Sequence, residues 1–283
     1  MDALRHFYEL VLTNTTSSPF PNWIPSYMLP ISQTASDLTL PQTIILSFFQ
    51  NVLAWSTVYL PTMAFIWVFK AQLQRFKINP DETPADLKRK ELRRTLVSLL
   101  LLALWDVFVL APQTFSTNKS EVVNPIRVLT WLFMFVWNDA HFYTIHRSLH
   151  HPMWYRQIHK IHHESINPNP LSGLSFHPVE GVVYFSALLV TFLIPLSPIE
   201  YTIYKFGLVW APLGGHIGYT FYDVEKNPLY PRRFEHYVHH VKFNNNFGAG
   251  LFPDGKIWDW ALGTVWPEDK PIERQGGESK KSK

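Results

Sequence analysis

The sequence predicts an all-α fold, with about four or five membrane-crossing helices or hairpins and a histidine-rich cap on one side. Three observations carry that expectation. Apolar runs recur from Ile44 to Leu213. Charged residues make up only 17% of the chain and aromatic ones 16%, against about 25% charged in an ordinary soluble domain. Twelve of the thirteen histidines fall between His141 and His240, several of them three or four residues apart.

The elements follow in order. Residues 1–40 are polar and rich in Pro, Ser and Thr. They lack a basic stretch followed by an apolar run and a small-residue cleavage site, so they read as a tail and not a cleavable signal. Residues 41–283 read as a single membrane domain. Ile44 to Phe69 is long enough to cross a hydrocarbon layer of about 30 Å. Leu96 to Ala111 carries Asp106, and Ile126 to Phe142 is rich in Trp and Phe. Val182 to Leu196 and Tyr201 to Leu213, joined by "PLSP", read as a hairpin. Trp and Tyr near the ends of these runs suit a membrane interface.

Charge sets the expected orientation. Lys70 to Arg94 contains eight Lys or Arg residues, which assigns that loop to the cytosol. The tail 1–40 is then lumenal, and so is the loop from Pro112 to Pro125, with Lys119 alone. Every clustered histidine and the C-terminus fall on the cytosolic face. The sequons at Asn14 and Asn118 lie on the lumenal side. The terminal "KKSK" resembles a dilysine retrieval signal. The expected location is therefore a multi-pass protein of the endoplasmic reticulum membrane.

Composition excludes several functions. A net charge of +3 without a basic repeat gives no reason to expect nucleic acid. The absence of cysteine excludes disulfides, cysteine-bound zinc, iron–sulfur clusters and thiolate-bound haem. A transition metal would need imidazole and carboxylate. On an α-helix, residues three and four apart share a face. His146 and His150 then point together, as do His159, His162 and His163, and again His236, His239 and His240. Neutral imidazole is a common metal ligand, and crowded buried rings are costly without a cation between them. Eight to ten histidines exceed what one tetrahedral zinc uses, so two metals with four or five ligands each are expected. No H-E-x-x-H is present. His6, His141 and His151 stand apart and read as structural or surface residues.

Taken in order, "DAHFYTIHRSLH", "HKIHH", "SFHPVEG", "GHIGY", "HYVHHVKFNNNFG" and "WDWALGT" resemble the fatty acid hydroxylase and sterol desaturase superfamily of membrane di-iron oxygenases. The resemblance covers about 139–264. It implies a di-metal centre of two iron ions, which zinc can displace in recombinant protein. The implied ligands and catalytic residues are His146, His150, His159, His162, His163, His216, His236, His239 and His240. The H-P-x-E motif adds His177 as a metal ligand. Asp139, Glu164, Glu180, Glu235 and Asn246 lie beside these motifs as acceptors that would fix the ring tautomers. Thr220 stands where some fatty acyl hydroxylases have a further histidine, and Phe247 where many relatives have Tyr. "NPNPLSGLSFHPVEG" is more similar to sterol C5-desaturases and C4-methyl sterol oxidases.

The implied reaction is hydroxylation or desaturation of an unactivated C–H position on a sterol or similar lipophilic molecule, using O2. No G-x-G-x-x-G fingerprint is present, and the resemblance implies an external electron donor of the cytochrome b5 and reductase type. Two alternatives stay open: a hydroxylase of a terpenoid or polyketide intermediate, and a non-catalytic sterol-binding or metal-transport membrane protein.

Overall fold

The computed structural model describes residues 38–79, 81–110, 125–194, 196, 198–220, 235–248 and 257–267. His6, both sequons, the C-terminal "KKSK" and nearly all of the tail 1–40 lie outside the described residues. Nine α-helices appear among those described: α1 (Leu40–Val68), α2 (Lys70–Leu73), α3 (Ala85–Leu110), α4 (Pro125–Leu149), α5 (Pro152–Gln157), α6 (Pro178–Phe185), α7 (Pro198–Gly215), α8 (Glu235–Lys242) and α9 (Ile257–Ala261). No strand is found among the described residues, only an isolated bridge between Lys77 and Tyr219.

Local chemistry starts and stops these helices. At α1, the Thr39 N–H donates to Gln42 Oε1 at 2.8 Å, and Pro41 sits in the first turn, where its missing N–H costs nothing. Pro152 and Pro178 open α5 and α6 in the same way. The core forms where α1, α3, α4, α6 and α7 meet, with Ala54, Trp55, Leu99, Leu102, Met134, Phe185, Tyr201 and Val209 buried together.

Two polar devices fix this packing. Asp106 of α3 is buried between α1 and α7. Its carboxylate accepts from Lys205 Nζ at 3.0 Å, Tyr201 OH at 2.7 Å and Ser47 Oγ at 2.6 Å. A buried charge pair is tolerated only when the remaining lone pairs are also satisfied, and here they are. The second device is a stripe on α3. Glu91, Thr95 and Ser98 recur on one helical face. Glu91 binds Ser165 Oγ and accepts from Asn169 Nδ2, while the two hydroxyls donate to the Leu171 and Leu174 carbonyls at 3.0 and 2.8 Å. This stripe anchors the whole segment 165–174 to α3.

The expectation of four or five membrane spans, and with it the multi-pass topology and location, is overturned. Among the described residues one helix, Leu40–Val68, is long and apolar enough to cross a membrane. The other apolar runs fail for identifiable reasons. The described part of the run from Leu96, through Leu110, is the rear half of α3, whose front half carries Lys88, Arg89, Lys90, Arg93 and Arg94. Ile126 to Phe142 holds Asn138 and Asp139 and continues as helix into His146 and Arg147. Val182 to Leu196 breaks after Phe185 into a 3₁₀ stretch, Ser186–Phe192. Tyr201 to Leu213 holds the buried Lys205 and an internal Pro212. Apolar side chains are nevertheless exposed along α1, α3 and α4, including Phe65, Trp67, Phe108, Leu129 and Leu132. Such a surface is suited to contact with lipid or another apolar partner.

Candidate metal centre

Four segments meet above the core. The end of α4 carries His146, and His150 follows it directly. A 3₁₀ helix, His159–Glu164, carries the first triplet, not the α-turn that its spacing predicts. His216 follows α7, and α8 carries His236, His239 and His240. The short segment before α3 ties His216 in place, with the Ile78 N–H donating to Gly218 O at 3.1 Å and the Thr220 N–H to Phe76 O at 2.8 Å. Gly218 allows that turn with a φ of +74°.

The rings sort into two groups. His146, His150, His159, His163 and His239 form one; His162, His216, His236 and His240 form the other. Within each group the ligand atoms all lie within 4.8 Å of one another. Each triplet is divided between the groups, so the two are interleaved and adjacent. His162 and His163, neighbours in sequence, face opposite groups.

The hydrogen bonds decide the tautomers. His146, His216 and His239 place Nδ1 at 2.8, 2.7 and 2.8 Å from the carbonyls of Phe247, Pro212 and Asn245. A carbonyl only accepts, so each Nδ1 carries the proton and each Nε2 is left with a bare lone pair. His159 Nδ1 faces Glu180 Oε1 at 2.8 Å. The Nε2 atoms then crowd together. His216 Nε2 lies 3.1 Å from those of His236 and His240, which are 3.1 Å from each other, and His163 Nε2 lies 3.1 and 3.2 Å from those of His159 and His239. His146 Nε2 and His150 Nε2 are buried with no hydrogen-bond partner. Ligands at right angles on metal–nitrogen bonds of about 2.0–2.1 Å lie roughly 3 Å apart. The spacing and the orphaned lone pairs therefore fit one cation in each group.

Protonation states agree. Burial holds His146 and His216 down to about 4. Burial first, then neighbouring imidazoles, pushes His159, His162, His163, His236, His239 and His240 well below their ordinary value. Neutral imidazole is the ligand form.

His177 is not brought into either group; its Nδ1 accepts from the Val179 N–H at 3.2 Å and caps α6. His141 bonds Ser186 Oγ at 2.9 Å and His151 caps α5. Among the expected acceptors, Glu180 does face a ring, that of His159. Glu164 instead pairs with Arg94 at 3.0 Å and holds the 3₁₀ helix to α3. Asp139 is buried within α4. Asn246 adopts a φ of +55° and accepts from the Trp266 N–H through Oδ1 at 2.8 Å, so it shapes a loop. The side chain of Glu235 lies outside the described residues.

Sequence reasoning missed Asp259. Its carboxylate accepts from the Phe247 and Gly248 N–H groups, each at 2.8 Å, and from Thr264 Oγ1 at 2.7 Å. It thereby fixes the loop whose Asn245 and Phe247 carbonyls orient His239 and His146. An acid within the "WDWALGT" stretch was the available signal. Gly173 is a second such residue: a Cβ there would stand 2.6 Å from Pro212 O, the acceptor that orients His216.

Fold and site together define an all-α protein with two adjacent histidine cages suited to a pair of metal ions. Residues 131–264 match the fatty acid hydroxylase family, and the clustered histidines of both groups lie within that segment. Over 148 residues it is 37% identical to a Delta(7)-sterol 5(6)-desaturase of Leptosphaeria maculans, covering 50% of this chain and 39% of that protein. It is 28% identical over 205 residues to a C-4 methylsterol oxidase of Schizosaccharomyces pombe, covering 68% of this chain and 67% of the relative. A Delta(7)-sterol 5(6)-desaturase of Aspergillus fumigatus is 31% identical over 138 residues, 47% of this chain and 36% of that protein. The matches to the two desaturases thus span well under half of their length. No solved structure matches the chain.

Proposed function

We propose that the chain is a membrane-associated oxidoreductase that holds two irons in its histidine cages and hydroxylates or desaturates an unactivated C–H position of a sterol or similar lipid. One observation carries this reading: both cages open on a single apolar cavity. His146 and His159 of one group and His162, His216 and His236 of the other line it, with Phe142, Ile145, Leu149, Phe176 and Tyr184 as its walls. A lipid placed there would lie against both metals at once, away from water.

Iron bound in the cages would supply O2 reduction and hydrogen abstraction from carbon. The atoms balance with two electrons and two protons from outside. Hydroxylation consumes O2 and yields an alcohol and one water. Desaturation removes two hydrogens from adjacent carbons and yields an alkene and two waters. An electron donor of the cytochrome b5 type fits this need. The chain's own residues hold the geometry. The Phe247, Asn245 and Pro212 carbonyls fix three rings, Glu180 faces His159, and Glu180 Oε2, without a partner of its own, lines the cavity.

The test is incubation of iron-loaded protein with O2, a reductant system and 7-sterols or 4-methyl sterols, followed by mass spectrometry. A product 16 mass units heavier or 2 lighter supports the proposal. No product from either sterol class at full iron loading, with oxygen still consumed or not, would count against it.

A further inference from the structure

The histidine cavity does not end at its own walls. A second hollow lies between α4 and α7, lined by Trp131, Met134, Phe135, Ile203, Gly207 and Trp210. The two hollows meet at Asn138 and Ala211, which line both. The outer one is walled mainly by apolar side chains, and the polar atoms of Tyr204 and Trp210, which also line it, are satisfied elsewhere. Tyr204 OH donates to Ala187 O at 3.2 Å and Trp210 Nε1 to Ala54 O at 2.9 Å. Its flanks carry exposed apolar side chains, Leu132, Phe135 and Ile203.

Gly207 borders open space on the α7 side of this hollow. A Cβ at that position would meet no heavy atom within 4 Å, although glycine weakens a helix interior by about 1 kcal/mol relative to alanine. Neither backbone conformation nor a close contact calls for glycine there. The bare helix surface leaves a smooth apolar wall facing Trp131 and Phe135.

We infer that the α4/α7 groove is the passage and body-binding site for a flat, rigid lipid of sterol size, with Gly207 as the residue that sets its width. This rests on the function proposed above. The rigid body lies along Trp131, Gly207 and Trp210. Its leading end enters the histidine cavity past Asn138, whose carboxamide is the polar group a substrate hydroxyl meets at the junction.

Dehydroergosterol, a fluorescent sterol, tests this directly, because Trp131 and Trp210 would transfer energy to it in the groove. Detergent-purified, iron-loaded wild type, Gly207→Ala and Gly207→Phe would be titrated, with iron content and helical circular dichroism measured on each. Wild type and Gly207→Ala should show saturable transfer. Gly207→Phe should lose affinity by about tenfold or more with iron content unchanged. Equal binding by Gly207→Phe, or no saturable binding by wild type, would overturn the inference. Failure of the groove and failure of the function are distinguishable. Sterol oxidation that survives in Gly207→Phe would sink the groove and spare the function. Gly207-dependent binding without oxidation would do the reverse.

Discussion

A carbonyl oxygen has lone pairs and no proton to give, and that sets the chemistry of three histidines. His146, His216 and His239 must each keep a proton on Nδ1, so each offers Nε2 as a ligand. Asp259 stands behind two of them by holding the 246–248 backbone. Removal of such supporting partners typically costs about 10–100-fold in metal affinity. Asp259→Ala should therefore weaken metal binding in chelator competition by a factor in that range, with helical content kept. An unchanged affinity would show that the loop holds itself. The histidines that converge were legible in the sequence, because converging imidazoles leave a spacing. Their acceptors were mostly not. Phe247 and Asn245 act through backbone carbonyls, which any residue supplies, and Glu164 and Asn246, singled out by proximity, turn out to bind Arg94 and Trp266 instead.

Among the elements, helical spacing predicted one contact within α8 and not the other, since His239, expected on the same face, joins the opposite group. His236 and His240 do share a face, and their Nε2 atoms meet at 3.1 Å. The first triplet divides in the same way, with the Nε2 atoms of His159 and His163 also 3.1 Å apart, although residues 159–164 wind as a 3₁₀ helix. Arg94 donates to Ile161 O at 3.3 Å, and the α3 stripe pins residues 165–174 directly after it, so tertiary contacts set the tighter winding. The apolar runs were legible as helices but misread as separate spans. Asp106 and Lys205 explain part of that misreading, since each lowers the hydropathy of its helix while being satisfied by the other across the core. Removing one partner of such a pair costs about 3–5 kcal/mol, whereas replacing both with apolar residues of similar volume is often neutral. Lys205→Met alone should thus lower the unfolding midpoint sharply, and the Asp106→Leu, Lys205→Met double variant should recover most of it. A double variant worse than the sum of the singles would show that the network does more than pack three helices.

For the whole molecule, the cages tie stability to pH and to metal. Burial lowers His141, His146 and His216 from 6.5 to about 4. Below about pH 6.5 the unfolded chain therefore binds more protons than the folded one, and stability falls as pH falls. Metal-free protein should melt at a nearly constant temperature above pH 6.5 and progressively lower from there to pH 4. A flat profile across that window would mean that the rings are not buried neutral. Metal bound only to the folded state raises the melting point further. The proposed chemistry requires that each cage hold its own ion. The most direct measurement is iron per chain, with Mössbauer spectra of iron-enriched protein, for wild type, His216→Ala and His239→Ala. About two coupled irons in wild type, with His216→Ala and His239→Ala each losing iron and the coupling, is the predicted result. Folded wild type with a single uncoupled iron, or unchanged iron content in both variants, would contradict it.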